Sequence, residues 1–104
     1  MKLTRDADTF LCEIYAEFLK RKSSGIPKST ASRFSSPENL VADFMQGNLP
    51  EDIRACIQEL RKIKFVRCDV TGAFRLEDSA IVYMENRFKN GLKEVLDFIS
   101  KFIP

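Results

Sequence analysis

The sequence predicts a mainly α-helical domain with one small β-hairpin, an α+β fold, on the basis of two adjoining patterns. Over residues 49–62, apolar side chains such as Ile53 and Leu60 recur at spacings of three and four, as on the buried side of a helix. From Phe65 the spacing changes to two, and a Thr-Gly pair at residues 71–72 permits a turn before a second apolar strand. We therefore expect a helix of about three turns that leads directly into two antiparallel strands.

Three further helices are predicted before this unit. The first is capped by Asp6 or Asp8 and ends at Gly25, and the second, a short one, begins at Ser29. The third runs from residue 37 to about residue 46, because Pro favours the first helical position and an acidic residue follows it. The apolar stripe of the first helix, which we expect to be core, consists of Phe10, Leu11, Ile14, Tyr15, Phe18 and Leu19.

A strand before the second helix and a helix after the hairpin complete the predicted fold. The proline that closes residues 25–27 favours extended backbone before it, so this segment is predicted to be a short third strand beside the hairpin. After the hairpin, Asp78 or Ser79 caps a last helix that runs almost to Pro104. The Asn-Gly pair at residues 90–91 could instead divide this segment into two helices.

The last helix carries apolar residues at the alternating four and three spacing of a coiled-coil seam. A small monomer seldom leaves so much apolar surface in water, so we interpret the seam as a homodimer interface. Its residues are Phe88, Leu92, Val95, Leu96, Ile99 and Phe102. The alternative is that residues 92–103 fold back over Phe18 and Leu19 of the first helix. The dimer interpretation divides the chain into a domain of residues 1–88 and a dimerisation element of residues 89–104.

Length and composition are those of one small domain. With 104 residues, of which 44% are hydrophobic, the chain can bury one core but hardly two. No apolar run reaches the roughly 18 residues that span a bilayer, and residues 1–10 lack the apolar part of a signal peptide, so we expect a cytoplasmic protein without a membrane partner. Cys12, Cys56 and Cys68 are widely separated, and we interpret them as reduced core residues, with a redox-sensing thiol as the alternative.

The net charge of +2 is distributed unevenly along the chain. Residues 20–33 contain five basic and no acidic side chains, and residues 54–75 contain six basic and two acidic ones. Between them, every charged residue of the segment 36–52 is acidic. If the two basic segments meet in space, they form the kind of basic face that neutralises phosphates. Ordinary solvated surface charge is the alternative interpretation.

The order of elements resembles a winged helix-turn-helix domain. Residues 74–85, FRLEDSAIVYME, are similar to the segment that leaves the wing in small bacterial and phage regulators, where Leu-Thr-x-x-Gly-Ile leads into the next helix. Glu77 stands where Thr is usual and Ala80 where Gly is usual, and the resemblance covers about residues 7–88. In architecture the chain resembles regulators of the PadR or MarR kind. It implies a transcription regulator that binds double-stranded DNA as a homodimer.

In that superfamily the helix before the wing enters the major groove, so the resemblance implies DNA contacts from residues outside the buried stripe. Residues of the preceding helix would hold phosphates, and those of the hairpin would reach the backbone or the minor groove. The implied DNA-binding residues are Ser29, Thr30, Arg33, Arg54, Gln58, Arg61, Lys62, Lys64, Arg67 and Arg75. Glu51 and Asp52, in the first turn of the same helix, would repel phosphates, although they also suit the helix dipole.

Two other functional classes compete with DNA binding. A winged domain can serve protein assembly alone, and the uncharged turn at residues 70–73 is compatible with that use. An enzyme is the third class. The chain has no His to act as a general base or metal ligand, and its four Gly form no phosphate-binding loop. We therefore expect no catalytic residues, no metal and no cofactor.

Overall fold

The computed structural model describes residues 2–101. In chain order its elements are α1 (Arg5–Ser23), α2 (Lys28–Ala31), β1 (Arg33–Phe34), α3 (Pro37–Asp43), α4 (Pro50–Lys62), β2 (Val66–Cys68), β3 (Phe74–Leu76), α5 (Asp78–Arg87) and α6 (Leu92–Ser100). The strands form one antiparallel sheet in the order β1-β3-β2. The prediction of a mainly helical fold with a small antiparallel hairpin is confirmed at this level.

Helix α1 is the element against which most of the others pack. It contacts α2, α4, α5 and α6, and its predicted apolar stripe is buried except for the half-buried Leu19. The cap of α1 is Thr4, whose Oγ1 accepts a hydrogen bond from the N–H of Ala7 at 3.2 Å. The prediction of Asp6 or Asp8 as the cap is therefore wrong, because both residues already belong to the first turn.

The sheet places one face on the helices and the other in solvent. Phe34 of β1 pairs with Phe74 of β3, and their stacked rings lie 5.4 Å apart between centroids. On the other side of β3, Val66 pairs with Leu76, and both are buried. Buried and exposed residues alternate along β1 and β3, as expected for a sheet that covers a core on one face, whereas in β2 both Arg67 and Cys68 are exposed.

The third strand lies at Arg33–Phe34 and not at residues 25–27, so its predicted position is wrong. Gly25 has a φ of +89°, and the N–H of Ile26 donates to the carbonyl of Arg21 at 3.0 Å. The backbone of this segment thus closes the C-terminus of α1 and is not available to a sheet. The guanidinium of Arg21 also holds β1, because its Nη1 donates to the Arg33 carbonyl at 2.6 Å.

The segment after the hairpin forms two helices and not one. Glu77 occupies the cap position of α5, so the prediction of Asp78 or Ser79 as the cap is wrong, because both residues already belong to the first turn. Phe88 leaves the helical conformation at the end of α5, and Gly91, with a φ of +78°, precedes α6. The N–H of Asn90 donates to Glu94 Oε1 at 3.0 Å and fixes this turn. The prediction of one continuous helix is wrong here, because α6 turns back and packs against α1.

The fold-back of α6 uses most of the predicted dimer seam inside one chain. Phe88 and Ile99 are buried, Val95 is 0% exposed, and all three belong to the same core cluster as α1. Leu92 packs at the edge of that cluster, whereas Leu96 is 39% exposed. Phe102 lies outside the described residues. The assignment of Phe88, Val95 and Ile99 to an intersubunit seam is therefore corrected, since α1 already covers them.

The three cysteines are free thiols in different surroundings. Cys12 is buried and Cys56 is half-buried, as expected for core residues, but Cys68 is exposed at the end of the edge strand β2. Burial raises the pKa of Cys12 to about 12 and that of Cys56 to about 11. The assignment of all three to the core is thus wrong for Cys68. Helix α3 is also shorter than predicted, since it ends at Asp43.

Candidate nucleic-acid interface

Helix α4 has a buried stripe and an exposed face, with the half-buried Cys56 and Glu59 between them. Pro50 occupies its first position, and Ile53, Ile57 and Leu60 are buried against the rest of the fold. The remaining faces point to water, so the four residues predicted to contact DNA from this helix are exposed, namely Arg54, Gln58, Arg61 and Lys62. Helix α4 is thus amphipathic, with polar and cationic side chains exposed just before the hairpin.

The positive charge of α4 is concentrated at its C-terminal end. Arg54 forms an ion pair with Glu38 of α3, so its charge is compensated. The pKa of Glu38 lies below its ordinary value because its own backbone N–H, and then Arg54, donate to the carboxylate. Glu51 and Asp52 make the first turn acidic. Two turns later, Arg61 Nη1 donates to Gln58 Oε1 at 3.0 Å.

Lys64, just beyond α4, has a backbone conformation that usually belongs to glycine. Its φ is +64°, and within the described chain it is the one non-glycine residue with a positive φ. The N–H of Phe65 donates to the Leu60 carbonyl at 2.9 Å, which closes the helix in the manner of a Schellman cap. The Lys64 carbonyl accepts a hydrogen bond from Ser79 Oγ at 2.8 Å, so this turn is tied to the start of α5. Lys64 is therefore held in the left-handed backbone conformation, and its side chain is exposed.

Three arginines stand side by side on the exposed face of the sheet. Arg33 of β1 and Arg67 of β2 each lie opposite Arg75 of the central strand β3. Directly opposite residues of antiparallel strands share a face, and all three side chains are exposed. We call these three residues the arginine row. Like charges in this arrangement destabilise a sheet by up to about 1 kcal/mol for each pair.

Neighbouring carboxylates offset little of the charge of the arginine row. Arg67 Nε lies 3.3 Å from Glu77 Oε1, in an ion pair in which the Arg67 side chain stays 77% exposed. Neither Arg33 nor Arg75 has a carboxylate partner in the described part of the chain. Asp69 lies beside the three arginines but forms no ion pair with them in the described part of the chain. The row therefore keeps most of its positive charge.

A shallow depression beside Arg75 collects side chains from four parts of the chain. It is lined by Lys28, Ser29, Lys64, Arg75 and Ser79, and also by the acidic residues Glu77 and Asp78. The charge of Lys28 is compensated, because its Nζ lies 2.8 Å from Asp78 Oδ1. Thr30 is exposed on α2 but is not part of this lining. Ser29 of α2 and Arg75 of the hairpin, both predicted to bind DNA, therefore line the same depression as Lys64.

All ten residues predicted to bind DNA are exposed, but they do not form one uniform surface. The arginine row and Lys64 belong to one region, and Arg61 and Lys62 lie at the end of α4 just before it. Arg54 is set apart by its pairing with Glu38. Sequence reasoning missed the adjacency of the three arginines because it put the third strand too early. Residues 32–35 contain a single apolar side chain, Phe34, so the sequence offers no periodic signal for this strand.

Comparison with known proteins supplies no relative from which a role could be transferred. No family model matches the chain, and neither a curated protein nor a solved structure matches it. Across residues 2–101, no helix has both the length and the apolar character needed to cross a membrane. In the same range, no three or more potential metal-ligating side chains are grouped closely enough to hold a metal ion.

Proposed function

We propose that this chain is a winged helix-turn-helix protein that binds double-stranded DNA and regulates transcription. The observation that carries the proposal is α4, which buries one stripe and exposes Gln58, Arg61 and Lys62 immediately before the hairpin. The element order and the strand order β1-β3-β2 support the same assignment. In such domains the helix before the hairpin lies in the major groove, where base edges carry a distinct pattern of donors and acceptors.

Under this proposal the two ends of α4 have different roles. Arg61 and Gln58, which already share a hydrogen bond, form a paired donor and acceptor that can be turned together toward a base edge. Lys62 is exposed in the last turn and would contact a phosphate. The acidic first turn with Glu51 and Asp52 would face away from the backbone, because carboxylates and phosphates repel each other.

A homodimer remains part of this proposal, because two-fold symmetry would present two α4 helices to successive turns of DNA. Its interface would have to use exposed side chains, since Phe88, Val95 and Ile99 are core residues. Leu96 on α6 and Val82 on α5 are exposed apolar residues that such an interface could cover. Light scattering of the purified chain would distinguish a mass near 12.0 kDa from twice that value.

The test of DNA binding is the affinity for a random-sequence duplex as a function of salt. At about 50 mM salt the wild type should bind, and the affinity should fall steeply as salt increases. Arg61→Glu should weaken binding about tenfold or more, because a favourable contact becomes a repulsion. The matched control is Lys93→Glu, which makes the same charge change on α6, and it should have a much smaller effect. Absence of wild-type binding at about 50 mM salt would refute the proposal.

A winged domain that assembles with another protein is the second candidate function. Val70 is fully exposed at the uncharged tip of the hairpin, and Leu49 is 64% exposed just before α4. Both apolar side chains border the surface that would otherwise meet DNA. If the wild type fails to bind duplex DNA, replacing Val70 and Leu49 by Ser and measuring oligomeric state and solubility would test this alternative directly.

A further inference from the structure

We infer that a groove beside Glu13, between α1 and the segment that connects α3 to α4, binds a primary ammonium group with an apolar tail. Two depressions, of about 350 and 580 Å³, open on either side of this carboxylate. Their sizes lie in the range of small-molecule sites, about 300–1,000 Å³. They share part of their lining and therefore form one surface, which we call the Glu13 groove. The shared residues are Thr9, Glu13, Met45 and Asn48.

The middle of the Glu13 groove offers hydrogen-bond acceptors without a partner. Glu13 is half-buried, and burial raises the pKa of its carboxyl group. Asn48 Nδ2 donates to the Met45 carbonyl at 3.3 Å. Within residues 2–101, no hydrogen bond engages the Glu13 carboxylate, the Thr9 hydroxyl or Asn48 Oδ1. A carboxylate, a hydroxyl and an amide oxygen together can accept the three hydrogen bonds that an ammonium group donates.

The charge of the first depression favours a cation. Its lining contains the carboxylates of Asp6, Glu13 and Asp52 and a single guanidinium, that of Arg5. Burial, and then four neighbouring carboxylates, raise the pKa of the Cys56 thiol in this lining to about 11, as expected where the potential is negative. Across residues 2–101, no three or more potential metal ligands are grouped closely enough for a metal ion, so these carboxylates suit an organic cation.

The second depression supplies walls for the apolar tail. Phe44 and Leu96 line it, and Leu96 is 39% exposed, so a tail that covers it removes apolar surface from water. The Glu17 carboxylate in this lining already has an ion-pair partner on α1. Lys20, the other charged residue of the lining, lies seven residues after Glu13, which is about 10 Å along the helix axis. That distance sets the length of tail that the groove accommodates.

The ligand that these walls favour is a free alkylammonium and not the lysine side chain of a protein. A lysine stem leads to a peptide group, and contact of that polar group with apolar walls costs free energy unless it is hydrogen-bonded. A tail that ends in a methyl group covers Phe44 and Leu96 without this cost. The inference does not depend on DNA binding.

The test is a titration of the isotope-labelled protein with hexylammonium chloride at neutral pH, followed by NMR chemical shifts. The amide signals of Glu13, Asn48 and Leu96 should move, with a Kd of about 1 mM or tighter. Glu13→Gln should weaken binding about tenfold or more, because a charge-assisted hydrogen bond is lost. Glu85→Gln, which removes an exposed carboxylate from α5, is the matched control and should bind as the wild type does.

Two comparisons separate the ammonium group from its tail. Leu96→Ser should weaken the binding of hexylammonium about threefold and leave that of methylammonium unchanged, because only the longer ligand reaches this wall. Hexanol has the same tail without the charge, and it should bind about tenfold more weakly than hexylammonium. Thermal unfolding excludes loss of fold as the cause, since Glu13→Gln removes a half-buried charge and should not lower the melting temperature.

Several results would overturn the inference. Equal affinities for hexanol and hexylammonium, or wild-type affinity in Glu13→Gln, would exclude recognition of the ammonium group. Shift changes confined to other parts of the chain, or none up to about 10 mM hexylammonium, would exclude the site. Tighter binding of Nα-acetyl-lysine amide than of hexylammonium would exclude a free amine as the ligand. None of these measurements uses DNA, so this inference and the proposed function can fail separately.

Discussion

Arg87 and Asp8, at opposite ends of the sequence, form a two-point ion pair. Arg87 Nη1 donates to Asp8 Oδ1 at 2.6 Å, and Nη2 donates to Oδ2 at 3.0 Å. The same guanidinium lies over the rings of Phe88 and Phe98, 4.9 and 4.7 Å from their centroids. The hydrogen bonds that Arg87 donates to Asp8 raise the pKa of Arg87 above its already high value, so the guanidinium stays charged. One side chain thus connects α1 with the turn between α5 and α6.

Asp8→Asn should lower the free energy of unfolding by about 1–2 kcal/mol, because it replaces a charged two-point contact with a neutral one at a site about three-quarters buried. The measurement is urea unfolding followed by circular dichroism. Glu17→Gln is the matched control, since it removes an ion pair to Arg21 of similar exposure within a single helix. That pair should contribute about 0.5 kcal/mol or less. Equal losses of unfolding free energy in the two variants would show that the Arg87–Asp8 pair contributes no more than an ordinary pair within one helix.

Arg75→Thr should stabilise the fold, in contrast to most substitutions in a central strand. It removes two like-charge contacts, to Arg33 and Arg67, and Thr suits a strand. We expect an increase of about 0.5 kcal/mol, or a few degrees in the melting temperature at low salt. The gain should shrink at about 1 M salt, where exposed charges are screened. A loss of stability at every salt concentration would show that the arginine row does not repel itself.

Glu13→Gln should raise stability at neutral pH and leave it unchanged in acid. Glu13 is half-buried on α1, and burial raises the pKa of its carboxyl group. No hydrogen bond or ion pair from residues 2–101 compensates this burial. The folded state therefore holds the proton more tightly than the unfolded chain does, and ionisation costs stability as the pH rises above about 4.

Thermal unfolding of the wild type and Glu13→Gln at pH 3 and pH 7 measures this difference. At pH 3 the carboxyl is protonated in both states, so the two proteins should unfold at nearly the same temperature. At pH 7 the glutamine variant should unfold at the higher temperature. Glu85→Gln, at an exposed position of α5, is the control and should show no such pH-dependent gain. A gain of equal size at both pH values would mean that ionisation of Glu13 is not responsible.

Cys68 should be the one thiol that reacts quickly with an aromatic disulfide reagent at pH 7.5 or so. It is exposed, whereas burial raises the pKa values of Cys12 and Cys56 to about 12 and about 11 and keeps their thiols protonated. Each native protein molecule should therefore release about one equivalent of the reagent's aromatic thiolate rapidly, and each molecule unfolded in urea should release about three. Cys68→Ser should abolish the rapid phase. A rapid phase that survives this substitution would place a second thiol in contact with solvent.

The sequence predicted the elements well where a local pattern decides the structure. The stripe of α4 and the alternation of β3 are both found, because the period of apolar residues reports which side is buried. In the first hairpin strand only Val66 is buried, and Cys68 and Val70 are exposed. The third strand was misplaced because residues 25–27 and 33–34 are both short, and the choice depends on the contacts of Arg21. No local pattern contains that information.

The candidate site also combines residues that a local pattern identifies with arrangements that depend on contacts between residues far apart in sequence. Periodicity alone identified the exposed cations of α4, but the pairing of Arg54 with Glu38 joins residues on different helices. The arginine row depends on the register of three strands, so the sequence could supply its members and not their adjacency. Likewise, the apolar face of α6 was evident, but whether α1 or a second chain covers it is decided by the turn at Gly91.

The packing of α6 against α1 also sets an order of events during protein synthesis. Helix α1 is complete at Ser23, whereas α6, the last of the four helices that pack against it, begins only at Leu92. Contacts between segments so far apart form late, because a long loop has to close before they can be made. Until then the part of the apolar face of α1 that α6 covers stays open to chaperones and to other nascent chains. A ribosome that stalls before residue 92 should therefore hold the most aggregation-prone form of this protein.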